Sequence, residues 1–125
     1  RYRFKRAFIT FMALITFMPP GIDSYHIRCK VEMSLKTLPM IVSGRVQGVG
    51  FRYFTLEEAR AFELTGYVKN LTDGNVEIYA EGPEQRLKSF YKEMKQGPSL
   101  SRVLHVEEDW QDLNVRKYRE FRITY

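Results

Sequence analysis

Glycine and proline cut residues 40–125 into short segments whose apolar spacing keeps switching between two and about 3.6 residues. Period two belongs to strands and period 3.6 to helices, so this alternation restricts the chain to layered folds of strands and helices. Met40-Ile41-Val42 reads as a short buried strand ending near Gly44. A loop over 45–50 follows, and Phe51, Thr55, Ala59 and Phe62 then share one helical face, predicting a helix from about Phe51 to Leu64. Thr55-Leu56-Glu57-Glu58 also fits a capping box, which would start the regular helix later. The earlier start is preferred, because Phe51 and Phe54 need burial, and Gly66 is expected to end the helical region.

Residues 67–71 read as a strand, and Asp73-Gly74 is the signal of a tight hairpin turn. Val76, Ile78 and Ala80 alternate with Glu77, Tyr79 and Glu81, which predicts a strand with one wet face. Gly82-Pro83 opens a second helix, whose buried stripe is Leu87, Phe90, Tyr91 and Met94, and Gly97-Pro98 stops it. Residues 102–110 and 120–125 read as two more strands. The order β-α-β-β-α-β, with a further short strand, predicts a mixed α/β (α+β) domain of the ferredoxin-like, split-βαβ type. Its sheet is mainly antiparallel, with two helices on one face. Such a fold hosts many functions and settles none of them.

Composition narrows the classes. A chain of 125 residues with 44% hydrophobic and 28% charged residues holds about one globular domain. It has no run of 18 apolar residues, the length that membrane crossing by a helix requires. The single cysteine, Cys29, excludes intrachain disulfides and zinc sites built on cysteine pairs, and only two histidines, His26 and His105, are present. No metal site and no cofactor is expected. The net charge of +5 would suggest a nucleic-acid partner until it is located. Residues 1–32 hold six basic and two acidic residues, a net of +4, whereas 33–125 hold 14 and 13, a net of +1. A basic binding face is therefore not indicated in the body, and no nucleic-acid partner is expected.

Residues 1–32 differ from the rest. Arg1-Tyr2-Arg3-Phe4-Lys5-Arg6 leads into a 12-residue apolar stretch at 7–18, the layout of a secretory signal. Against that reading, the sequence does not open on Met, Pro19-Pro20-Gly21 stands where a small-residue cleavage site is needed, and no set of cysteines follows. Met33 offers a natural start. We read 1–37 as an extension, 38–125 as the functional domain, and the location as cytoplasmic, with secretion as the minor alternative.

The chemistry is concentrated in Gly44-Arg45-Val46-Gln47-Gly48-Val49-Gly50-Phe51-Arg52, which joins a strand to a helix start. Glycines let successive backbone N–H groups face one ligand, the helix start adds unpaired donors and a positive dipole end, and Arg52 carries a planar fork for phosphate oxygens. The plainer alternative is a tight turn with a surface arginine. Walker A fails, because Phe51-Arg52 follows Gly50 where Lys-Ser/Thr is needed. The dinucleotide fingerprint fails because Tyr53 stands at the third glycine. An RNA-reading sheet fails because Gly66-Tyr67-Val68-Lys69-Asn70 has no matching second motif.

Over about residues 38–125 the chain resembles the acylphosphatases. The resemblance is carried by the 44–52 motif, by Gly66-Tyr67-Val68-Lys69-Asn70, and by the Asp73-Gly74 and Glu81-Gly82-Pro83 steps. The helix end at Gly97-Pro98 and the strand Phe121-Arg122-Ile123-Thr124-Tyr125 also fit. It implies metal-independent hydrolysis of the carboxyl–phosphate bond of small acyl phosphates by water, releasing inorganic phosphate; a monomer is expected, with the oligomeric state not fixed by the sequence. It also implies Arg52 as the phosphate-binding arginine, Asn70 as the residue that orients the attacking water, and Gln47, Gly48, Val49, Gly50 and Phe51 as the backbone cradle. Glu63 departs from the family, which commonly has a glycine at the end of the first helix. The alternative is a non-catalytic module of the same fold that binds phosphate or another anion.

Two residues can suffice for such a reaction. The leaving group is a stable carboxylate, so protonating it matters little, and catalysis rests on positioning and charge stabilisation. Asn70 is neutral and no strong base, but its amide can both accept from and donate to water. Outside the motif, His105 reads as an ordinary strand residue, and Glu107-Glu108-Asp109 as a solvated charge run. Arg116-Lys117-Tyr118-Arg119 reads as an exposed turn.

Overall fold

A computed structural model describes residues 34–125; the signal-like segment, Cys29 and the Met33 start lie outside the described residues. The elements run β1 (Leu35–Arg45), α1 (Phe51–Ala61), β2 (Thr65–Asn70), β3 (Val76–Pro83), α2 (Glu84–Gln96), β4 (Arg102–Glu108), β5 (Gln111–Leu113) and β6 (Phe121–Ile123). The strands form one sheet in the order β4-β1-β3-β2-β6, with β5 also on β1. All pairings are antiparallel except β2 with β6, which is parallel. The β4-β1-β3-β2 core with its two helices is the ferredoxin-like arrangement that the element order predicts. Leu38, Met40 and Val42 of β1, Val68 of β2 and Val76, Ile78 and Ala80 of β3 are fully or almost fully buried on one face. Phe51 and Ala59 of α1 and Leu87, Phe90 and Met94 of α2 close over them. Thr55 Oγ1 lies 3.4 Å from Met94 Sδ, where the two helices meet.

Several boundaries differ from the sequence reading, each for a physical reason. The helix begins at Phe51, as preferred, and Thr55 lies inside it: its hydroxyl donates to Phe51 O at 2.9 Å, so it caps nothing. The helix ends at Ala61 rather than Leu64. Glu63 there adopts φ 58°, the only positive φ of a non-glycine residue among those described, and Gly66 already belongs to β2. The strand expected over 102–110 is two strands. Pro39 of β1 turns its carbonyl toward that edge, accepting from Asp109 N at 3.2 Å, and has no N–H to continue the ladder. β4 pairs with β1 from Met40 onward and β5 pairs with it from Thr37 backward, leaving the break opposite the proline.

Glu81 corrects the expectation of a wholly wet face on β3, for it is completely buried. Its Oε2 accepts hydrogen bonds from Thr65 Oγ1 (2.9 Å), Lys117 N (2.9 Å) and Tyr118 N (2.7 Å), and Tyr79 OH donates to Oε1 at 3.3 Å. The 116–119 segment read as an exposed turn therefore uses its main chain to roof a carboxylate. A buried charge held by this many donors is tolerable, whereas without them it would carry a large desolvation cost.

Candidate active site

The site forms where β1 hands over to α1, beside the end of β2. Val46 is buried and pins the loop from below, and Phe51 is buried and pins the start of the helix. Between them Gly48 and Gly50 have φ 76° and 80°. A Cβ at either would meet nothing within 4 Å, so it is the left-handed backbone, not lack of room, that calls for glycine. Gly50 serves as N-cap without a side-chain cap, and the first turn contains no acidic residue. The first N–H groups of α1 consequently have no side-chain acceptor, and the positive end of the helix is left for an external anion. With Phe51 locked inward, the next residue is turned by about 100° around the helix, which brings Arg52 to the cleft.

That cleft has a volume of about 170 Å³ and is lined by Val46, Gly48, Gly50, Phe51, Arg52, Tyr53, Asn70, Ile123 and Tyr125. Arg52 makes no ion pair within the described residues, and its guanidinium carbon stands 5.2 Å from the centre of the Tyr125 ring. Asn70 closes β2 on the helix-facing side, in line with buried Val68. Its Oδ1 is buried and accepts no hydrogen bond from the described residues. Buried acceptors are almost always satisfied, so an orphan here marks a place for a ligand or water hydrogen.

The structure thus brings together Gly48, Gly50, Phe51, Arg52 and Asn70, residues drawn from segments 18 positions apart in the chain. Two members of the expected cradle do not line the cleft. Val49 packs against the core, and the side chain of Gln47 turns to the hairpin after β2, donating from Nε2 to Leu71 O and Asn75 O, both at 2.8 Å. Sequence reasoning missed Tyr53, Ile123 and Tyr125. For the last two a signal existed: they follow buried Phe121 at steps of two and so share its face. His105 lies on β4 and is exposed, as are Glu107 and Glu108.

The acylphosphatase family model matches residues 38–123. The chain belongs to the acylphosphatase family. An acylphosphatase of Bacillus velezensis is 48% identical over 86 residues, covering 69% of this chain and 94% of the relative. One from Archaeoglobus fulgidus is 48% identical over 88 residues, covering 70% and 97%. The crystal structure of acylphosphatase from Bacillus subtilis superposes with a TM-score of 0.69 at 44% identity, covering 72% of this chain and 99% of that one. No helix among the described residues is long and apolar enough to cross a membrane.

Proposed function

We propose that the Arg52–Asn70 cleft is where this acylphosphatase-family enzyme hydrolyses small acyl phosphates to carboxylate and inorganic phosphate, with water as the nucleophile. The observation that carries the reading is that Asn70, whose Oδ1 is buried without a donor, lines the same small cleft as Arg52 and the start of α1. The phosphate sits on the N–H groups of the loop and the helix start, with Arg52 as a two-pronged partner to its oxygens. These groups are in place before charge spreads over the phosphoryl oxygens, so stabilising it requires little reorganisation. Asn70 accepts a hydrogen from water and holds its lone pair toward phosphorus. The P–O bond to the carboxylate breaks as the new P–O bond forms, and the water proton passes to solvent or phosphate. A retained anion-binding module without activity would have no use for the orphaned acceptor, which favours the enzyme.

We take the enzyme to be a monomer, and a single cysteine suits a reducing, cytoplasmic setting. Release of phosphate from an aromatic acyl phosphate, measured by colour change with chelator present and with inorganic phosphate as competitive inhibitor, tests the reading. Hydrolysis no faster than background would leave only the anion-binding module.

A further inference from the structure

Resting on the reading above, we infer that Gln47 is a positioning residue: its side-chain amide is a brace that sets the spacing between the phosphate-binding loop and Asn70. The two halves of the site lie on strands that are not neighbours, because β3 runs between β1 and β2. Pairing of β1 with β3 ends at Val42↔Val76, so the loop that follows β1 is not held to the hairpin by the ladder. Gln47 crosses that gap. Both hydrogens of its amide go to main-chain carbonyls at the mouth of the β2–β3 hairpin, Leu71 O and Asn75 O, each at 2.8 Å. These are the only hydrogen bonds between residues 45–50 and the hairpin among the described residues.

Both partners are carbonyl oxygens, so the amide can point only its nitrogen at them. Leu71 directly follows Asn70, and Asn75 O also accepts from Leu71 N at 2.9 Å. The brace therefore grips the residue directly after Asn70, through its own carbonyl and through the Asn75 carbonyl that its N–H also bonds. The cradle itself depends on the backbone of Gly48 and Gly50 and on the start of α1, none of which uses the Gln47 side chain. The geometry assigns Gln47 to aiming the water through Asn70, not to holding phosphate.

Gln47→Met keeps the length of the side chain and removes both donors. Measured on the full chain with an aromatic acyl phosphate, it lowers kcat by up to about a hundredfold, the scale of an ångström-sized misplacement. KM and the inhibition constant of inorganic phosphate stay nearly unchanged. In an Asn70→Ala background the same substitution costs nothing further, since the residue it positions is gone. Gln47→Glu supplies a second route if Gln47→Met folds poorly. Its carboxylate repels the two carbonyls, but its protonated form restores one donor, so its kcat relative to the parent rises as pH falls. An equal loss in both backgrounds, a parallel weakening of phosphate inhibition, or a flat relative pH profile would overturn the brace. Near-normal turnover of folded Asn70→Ala would instead overturn the role of Asn70, and the brace with it.

Discussion

The two faces of the sheet at β2 and β6 carry concavities of opposite character. On the helix side lies the 170 Å³ cleft of Arg52 and Asn70, and on the open side lies a larger one of about 540 Å³. The larger one is lined by Tyr67 and Tyr118 and by Lys69, Lys117, Arg119 and Arg122, more positive charge than the small cleft has. Two of its polar side chains are held by carboxylates, whereas Lys69, Lys117 and Arg119 make no ion pair among the described residues. Tyr67 OH donates to Glu77 at 2.5 Å, and Arg122 pairs with Glu120 at 2.5 Å. The Tyr67 and Tyr79 rings stack 5.8 Å apart, with Tyr118 tilted against both. Burial, with Glu81 beside it, pushes the Tyr79 phenol up to about 12, and burial with Glu77 raises Tyr67 further, so both act as neutral donors to their carboxylates. The small cleft also has an arginine without an ion pair, and adds what the larger one does not have: a helix start without a side-chain cap and a buried acceptor without a donor. The proposed site is thus set apart by a helix start and a buried acceptor left open side by side, not by volume or the number of cations.

That contrast is broken most severely by removing what the small cleft leaves free. Arg52→Ala and Asn70→Ala are each expected to reduce turnover about 10²–10³-fold, the scale of one lost preorganised donor. Only Arg52→Ala weakens phosphate inhibition in parallel, and Arg52→Lys restores little, since a point charge does not replace a planar fork. Steady-state kinetics beside phosphate inhibition constants, with folding checked by circular dichroism, separates the two. Equal loss of phosphate affinity in both variants would refute the division of labour.

On the other face the largest effect is on stability. Glu81→Leu removes the acceptor that Thr65 Oγ1, Lys117 N and Tyr118 N share, and each donor left bare costs about 1–3 kcal/mol. Urea unfolding should show the loss, and an unchanged midpoint would mean that the roof over Glu81 does not depend on that acceptor. Glu63→Gly should act in the opposite direction. Relief of the left-handed backbone contributes about 1 kcal/mol, and the surface ion pair to Arg86 that is lost (3.0 Å) offsets only a small part of it. A lower melting temperature for Glu63→Gly would contradict this. The smallest effect belongs to the open face: Lys69→Ala and Lys117→Ala should leave kcat within about twofold, as surface substitutions usually do. A tenfold change there would show that the larger cleft takes part in the reaction.

How much of this was legible beforehand varies from residue to residue. The two periods, the Asp73-Gly74 turn, the buried stripe of α2 and the glycine loop before Arg52 could all be read directly, because each depends on contacts within a few positions. Even the strain at Glu63 was visible as a missing glycine. Alternation on β3 placed Glu81 on the face opposite Ile78, correctly, but gave no sign that residues 36 and 37 positions later would fold over it and donate two N–H groups. Likewise the chain from Arg102 to Trp110 shows no internal reason to break, since the reason is a proline in another strand. Asn70 looked like a hairpin-edge asparagine apart from its motif, and Gln47 like one more member of a cradle. What orphans one and commits the other is the meeting of β1, β2 and β3. The sequence by itself determined which segments form, which faces are apolar and where the backbone can cradle an anion, because these are local properties. Only the tertiary structure decided which polar groups are satisfied, because a hydrogen-bond partner is set by distance in space and not along the chain.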